Sequence, residues 1–294
     1  MKALYDSVSF ASSRLLTHRY STSFSIGIKS LAKRFHDPIY GIYGFVRIAD
    51  EIVDTFHDYD KKNLLDRFEK ETYQAIEEGI STNPILNSFQ HVVNHYEIPH
   101  DLIDAFLASM RFDLDQIEYS KQGYEQYIYG SAEVVGLMCL KVFVEGDQKE
   151  YDTLVPYAKR LGAAFQKINF LRDLKADFKD LGRTYFPNID FDSFSASDKR
   201  AIEKEILEDF QWGFEGIKRL PVGAKFGVYV AYSYYFQLFK KISRTPASLV
   251  MSRRIRIPNF QKGRILLGSY LKHRLNMIWG GFYRLFFCWV FLVI

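Results

Sequence analysis

Two pairs of aspartates are the residues best placed to do chemistry. Asp50 and Asp54 lie four apart in "YGFVRIADEIVDTFHD", residues 43–58, and Asp173 and Asp177 lie four apart in "NFLRDLKADFKDLGRTYFP". Residues at i and i+4 share a helix face, so each pair sets two carboxylates side by side. Such neighbours repel unless solvent or a cation separates them. One pair alone reads as a solvated face. Two pairs, each on a helix with an apolar side that must pack inward, read as a ring of four carboxylates around a cation.

Magnesium suits that ring. It takes oxygen ligands and is usually held by few carboxylates together with substrate phosphates. Manganese would accept the same oxygens. Zinc is not expected, because no His or Cys clusters near these aspartates. Each pair also has an arginine close by, Arg47 three before Asp50 and Arg172 beside Asp173. Guanidinium groups match phosphate oxygens. The chemistry expected of this set is departure of a diphosphate, with the metal as Lewis acid. Gln166 and Asn169 fall on the turns before Asp173. Either they bond diphosphate or metal-bound water, or they are satisfied core amides.

These groups need helices to position them. Helical apolar spacing runs through "LLDRFEKETYQAIEEGI", "DLIDAFLASMRFDLDQIEY" and "LVPYAKRLGAAFQKINFLRDLKADF", and strand-like alternation is absent. Pro38, Pro84, Pro99, Pro156, Pro187, Pro221, Pro246 and Pro258 are expected to divide the chain into long helical segments. Ser197 or Asp198 is expected to cap the helix of "ASDKRAIEKEILEDFQWGFEGI". The predicted fold class is all-α, with ten or more helices in one domain over residues 1–276. In "YIYGSAEVVGLMCL", residues 127–140, Gly130, Ser131, Ala132 and Gly136 leave a helix with little bulk on part of its surface. That allows either close helix packing or room for a long lipid chain. The aromatic content of 17% suits the wall of an apolar cavity as well as a thick core.

Composition narrows the partners. The net charge is +4, without a dense Lys/Arg run interleaved with aromatics, so nucleic acid is not an expected partner. Cys139 and Cys288 are far apart in apolar surroundings, which argues against a disulfide framework or zinc site. No continuous apolar h-region opens the chain, so no signal peptide is expected. Residues 277–294, "MIWGGFYRLFFCWVFLVI", are nearly all apolar, and the uninterrupted stretch is shorter than the ~20 residues a span needs. Contact with a membrane surface is expected there, flanked by Lys272, His273 and Arg274. The expected location is cytoplasmic and peripheral at the inner membrane.

Four segments, in order, resemble the squalene/phytoene synthase family: "YSTSFSIGIKSL", "YGFVRIADEIVD", "YIYGSAEVVGLM" and "QKINFLRDLKADFKDLGRTYFP". The resemblance covers about residues 15 to 260. It implies an all-α isoprenoid synthase fold around a central cavity, and head-to-head condensation of two prenyl diphosphates with magnesium. Carried over to this chain, Asp50, Asp54, Asp173 and Asp177 would bind the metal. Arg47, Arg172 and Ser21 would contact diphosphate. Tyr43, Tyr129 and Tyr235 would lie near the reacting centre or the diphosphate. Gln166 and Asn169 would assist at the second aspartate pair, and Arg183 and Tyr185 would close the site beside it. Two departures stand out. Thr22 occupies the place where many members carry a basic residue, and the second box reads Asp-Leu-Lys-Ala-Asp, without the acidic residue many members have before the last Asp.

The resemblance also bears on product. The wording of "YGSAEVVGLMCLKVF" is most like the phytoene-forming members, which implies two geranylgeranyl diphosphates and a place before downstream carotenoid enzymes. Squalene or dehydrosqualene from farnesyl diphosphate is the alternative. A non-catalytic, membrane-attached assembly factor of the same fold is a further one, and the four retained aspartates argue for an enzyme.

Overall fold

Polar caps set many of the helix boundaries. The computed structural model describes residues 1–115, 120–175, 185–187, 189 and 191–278. Helix α1 (Lys2–Tyr20) runs to Ser21, which caps α2 (Thr22–Lys29) by accepting from the Phe24 amide at 3.2 Å. After a short 3₁₀ turn comes α3 (His36–Asp54). Asp60 caps α4 (Lys61–Glu78), which ends at Gly79 in the left-handed region at φ 68°. Asn83 caps α5 (Pro84–Tyr96), with Pro84 at the first helical position where its missing N–H costs nothing. Then follow α6 (His100–Asp115) and α7 (Lys121–Ile128), the latter capped by Ser120.

A five-residue π-helical turn, Tyr129–Glu133, joins α7 to α8 (Val134–Phe143) without a break. Gly130 lies in it against α6, where a Cβ would come within 2.4 Å of the Ala105 carbonyl. Helix α9 (Gln148–Lys175) is the longest, and α10 (Ala196–Arg219) packs along it. The remaining helices are α11 (Val222–Ser243), the short α12 (Ala247–Val250) and α13 (Asn259–Arg274).

Two expectations need correcting. Pro156 does not end a helix but lies inside α9. An internal proline costs ~3 kcal/mol, and the long apposition of α9 to α8, α10 and α11 offsets that. The cap of α10 is Ser195, not Ser197 or Asp198. Ser195 and Asp198 form a reciprocal capping box, with Asp198 accepting from the Ser195 amide at 2.9 Å.

Every regular element among the described residues is helical, and the helices share one apolar core. Phe45 on α3 is fully buried and stacks on Phe89 of α5 at 3.9 Å, so α3 is held at the centre with α1, α4, α5, α6 and α8 around it. Burying each such ring contributes ~1.5–3 kcal/mol. On the other side α9 is flanked by α8, α10 and α11, and α2 lies against α11. The aspartates of α3 and α9 therefore come from two central helices. No described helix is long and apolar enough to cross a membrane. The apolar tail from residue 279 onward lies outside the described residues.

Candidate active site

On α3 the spacing of Tyr43, Arg47, Asp50 and Asp54 keeps all four on one helix face. On α9 the spacing of Gln166, Asn169 and Asp173 does the same. Both faces open on a single cleft of about 760 Å³. The N-cap Ser21 and the first-turn residues Thr22, Ser23 and Phe24 of α2 supply part of its wall, and a helix N-terminus suits an anion. Tyr185 and Tyr235 complete the residues that the sequence places here and the structure brings together. Asp177 and Arg183 lie outside the described residues.

Tyr129 is the exception. It lines neither this cleft nor the cavity behind it. Its ring sits beneath the Lys159 ammonium at 4.6 Å, with Asp101 and Glu133 nearby. The π-helical turn begins at this residue, and Tyr127, two residues earlier, faces the cleft instead. Tyr127 donates to Asp113 of α6 at 2.7 Å and stacks with Tyr185. Phe170 lies against the Tyr185 ring at 4.1 Å.

Arginines lie directly on the aspartates. Arg47 pairs with both Asp50 and Glu51, and its ion-pair partners leave its buried Nε without a hydrogen-bond acceptor. The face of Tyr20 covers its guanidinium at 4.3 Å. Asp173 is held by Arg172 at 2.5 Å and by Arg254 at 2.5 Å. Arg254, Arg256 and Lys262 form a cationic wall that spacing did not reveal. The only sequence signal for it was the basic stretch "SRRIRIPNFQKGR".

Burial and like charge together shape the electrostatics of the cleft. Burial, then the negative charge of Asp54, push the Asp50 carboxyl up to about 6, with Arg47 opposing. A cation between the two aspartates would oppose both effects. Asp50, Asp54 and Asp173 offer only oxygen, the donor set of a hard divalent ion. Among the described residues, no three His, Cys, Asp or Glu side chains already converge on one metal position. Burial also pushes the Tyr43 phenol up to about 12, with Arg47 and Ser21 opposing, so it stays protonated and able to donate. Burial raises the Tyr235 phenol as well, with Arg172 and Asn169 opposing. Its hydroxyl reaches Asn169 at 3.4 Å, and Asn169 reaches Gln166 at 3.4 Å.

Behind the cleft lies an apolar cavity of about 340 Å³. Phe24, Tyr43, Arg47, Asp50, Gln166, Asn169 and Tyr235 line both spaces, so one leads into the other. Small residues bound the inner cavity, among them Gly136, Ala158, Gly162, Gly213 and Ala231. The stretch of small residues at 130–136 divides between helix packing and cavity wall. Gly130 permits helix contact, while Ser131, Ala132 and Gly136 line the cavity. Cys139 lies in the same wall, its thiol pushed up to about 12 by burial and so unreactive.

Comparison with known proteins gives the family and the fold. The chain is 29% identical over 198 residues to the 4,4'-diapophytoene synthase of Staphylococcus haemolyticus (strain JCSC1435), a match spanning 65% of this chain and 66% of that enzyme. It is 25% identical over 292 residues to the phytoene synthase of Arthrospira platensis, covering 89% and 92% of the two chains. Among solved structures, a dehydrosqualene synthase in complex with ligand superposes with a TM-score of 0.75 at 21% identity, over 91% of this chain and 98% of that one. A squalene synthase from Alicyclobacillus acidocaldarius superposes with a TM-score of 0.68 at 21% identity, over 80% and 93%. Those structures establish the fold as the all-α isoprenoid synthase fold. The family model described as squalene/phytoene synthase matches residues 17–261, taking in both aspartate helices and the cleft they share, and the chain belongs to that family.

Proposed function

We propose that this chain is a prenyltransferase that joins two geranylgeranyl diphosphates head to head to give phytoene. The observation that carries the reading is the continuity of the two spaces. A polar cleft built of carboxylates and arginines opens directly into an apolar cavity. A molecule with a diphosphate head and a long hydrocarbon tail matches that pairing.

Arg47, Arg172, Arg254 and Lys262 would hold the diphosphates and balance their charge. Asp50, Asp54 and Asp173, with Asp177, would hold magnesium, which when bound polarises the leaving diphosphate as a Lewis acid. The arginines already bonded to Asp50 and Asp173 would then exchange partners, releasing carboxylate oxygens as they take up phosphate oxygens.

In the first step the C–O bond of one substrate breaks and diphosphate leaves. The 2,3 double bond of the second substrate attacks the allylic cation, and loss of one proton gives a cyclopropylcarbinyl diphosphate. In the second step that diphosphate leaves, the cation rearranges, and loss of another proton gives the linear hydrocarbon with a conjugated triene at its centre. No reductant is consumed. The apolar cavity excludes water that would quench either cation. The faces of Phe24, Tyr43, Phe165 and Tyr235 at its mouth favour positive charge. Phe165 and Tyr235 are stacked at 4.0 Å, which fixes that part of the wall.

A second reading, a thirty-carbon product from two farnesyl diphosphates, is favoured by the similarity to a 4,4'-diapophytoene synthase. Incubation with magnesium and geranylgeranyl diphosphate, and separately with farnesyl diphosphate with and without NADPH, decides between them by mass spectrometry of the lipid extract. Phytoene from the first mixture is the expected result. A thirty-carbon hydrocarbon from the second alone keeps the mechanism and changes the substrate. No hydrocarbon from either, in folded protein, assigns a non-catalytic role. Phytoene, or dehydrosqualene formed without NADPH, would be a feedstock for carotenoid-forming enzymes.

A further inference from the structure

The side of the molecule formed by α11 and α13 carries a second cleft, of about 720 Å³, that the catalytic reading leaves unused. Among the described residues, Ile257 alone lines both this cleft and the active-site cleft. Lys240, Lys241 and Arg244 reach it from the end of α11 and the residue after it, and Arg264 and Lys272 reach it from α13. No carboxylate lines it among the described residues. Lys241 donates to the Arg256 carbonyl at 2.7 Å, and the Lys240 ammonium lies over the Phe236 ring at 4.7 Å. None of Lys240, Arg244, Arg264 and Lys272 forms an ion pair with another described residue. Burial, then the charges of Lys272 and Arg244, lower the Lys240 pKa from its ordinary value. Five cations thus crowd one concave surface that no described carboxylate lines.

A second feature adjoins the first. Phe260, Leu267 and Leu271 on α13, and Leu275 at its C-cap, are exposed by 66%, 60%, 50% and 67%. Spacings of seven, four and four residues place them in one narrow arc of the helix. Ile265 and Lys272, which line the cleft, fall on the neighbouring arc. A free phosphate ion would account for the cations but not for four large apolar side chains in water beside them. A lipid interface accounts for both, since basic groups beside an apolar helix face bind anionic bilayers.

We propose that the α11–α13 cleft and the exposed apolar face of α13 form a docking surface for an anionic phospholipid bilayer. The cleft cations take headgroup phosphates, and Phe260, Leu267 and Leu271 enter the interface. The surface is separate from the catalytic residues, so it stands or falls independently of the reaction assigned above. Through Ile257 it lies beside the active-site cleft, which would bring a hydrocarbon product out close to lipid.

The test is flotation of the full-length protein with vesicles of phosphatidylcholine alone and of phosphatidylcholine with phosphatidylglycerol. Each cation near an anionic surface strengthens binding about fivefold, so the double variant Lys240→Gln/Arg264→Gln should bind the anionic vesicles ~25-fold more weakly. Its melting temperature and its turnover of detergent-dispersed substrate should match the parent. Leu267→Ser/Leu271→Ser should weaken binding while keeping the preference for anionic vesicles. Equal binding of the parent to both vesicle types overturns the proposal, as does a double variant that keeps its full anionic preference. Calorimetry that finds a pyrophosphate site on the parent, beyond the active-site cleft, that the double variant has lost, with no difference between the two on vesicles, reassigns the cleft to a free anion and also overturns it.

Discussion

Replacing Asp50 by asparagine should remove activity and stabilise the fold. Asp50 is set in the wall of the cleft beside Asp54, and its carboxyl is pushed from 3.8 up to about 6. A carboxyl whose folded pKa lies above its unfolded value holds its proton more tightly in the folded chain. Folded stability is therefore lost as pH rises through the window from about 4 to about 6, and the loss is complete at neutral pH. Unscreened, that shift corresponds to ~3 kcal/mol. The side chain keeps 34% of its surface open to solvent, and screening reduces the effect to ~1–2 kcal/mol. Asparagine keeps the shape and removes the charge, while Arg47 retains Glu51 and the face of Tyr20. Urea unfolding at pH 7.5 in EDTA should show the gain of ~1–2 kcal/mol, and at pH 4 the two proteins should differ little. Magnesium added at pH 7.5 should stabilise the parent more than the variant. A variant that is equally or less stable than the parent at pH 7.5 refutes the claim that repulsion and burial at this site oppose folding.

Other residues give sharper contrasts. Tyr127→Phe removes the 2.7 Å bond to buried Asp113 and should lower both turnover and stability, the latter by ~1–2 kcal/mol, whereas Tyr129→Phe should leave turnover near the parent level in the same product assay. Arg254→Gln takes a charged donor from Asp173 and the cleft wall, and steady-state kinetics should show kcat/KM falling roughly ten- to a hundredfold. Gly216→Ala places a Cβ 2.3 Å from the Tyr157 Cβ and should cost ~1–3 kcal/mol in thermal unfolding. Gly27→Ala meets only Ala231 at 3.5 Å and the Gly227 carbonyl at 3.6 Å, and should be close to neutral.

What the sequence reveals is what lies within one helix. Asp50, Asp54, Arg47 and Tyr43 belong to a single helix, so their common face follows from 3.6-residue winding alone. The same holds for Gln166, Asn169 and Asp173 on α9. The all-α architecture is legible for the same reason, since each apolar stripe states its own period. Interactions across the chain are not. Arg254 meets Asp173 from 81 residues away, and nothing in the local spacing of either announces the other. Asp113 and Tyr127 find each other through the packing of α6 against the helix that follows. Tyr129, carried over by the resemblance, lies outside both spaces, at the start of a turn that winds more widely than an α-helix and that local spacing does not announce. Pro156 lies inside a helix where a boundary is expected, because a proline's local cost is visible in sequence and the packing that offsets it is not.

The wide turn at 129–133 has a consequence for how this chain can vary. An α-helix advances 100° per residue, and a π turn carries about one residue more than the same length of α-helix. The surplus sets the phase of α8 relative to α7. Tyr127 before it meets the polar cleft, while Ala132, Val135, Gly136 and Cys139 within and after it meet the apolar cavity. Deleting one residue here would restore regular winding and rotate one of those two sets away from its space. Over this stretch the number of residues is itself a determinant of the site. Exchanges that preserve the count leave both halves in register, and a single insertion or deletion uncouples the polar cleft from the apolar cavity.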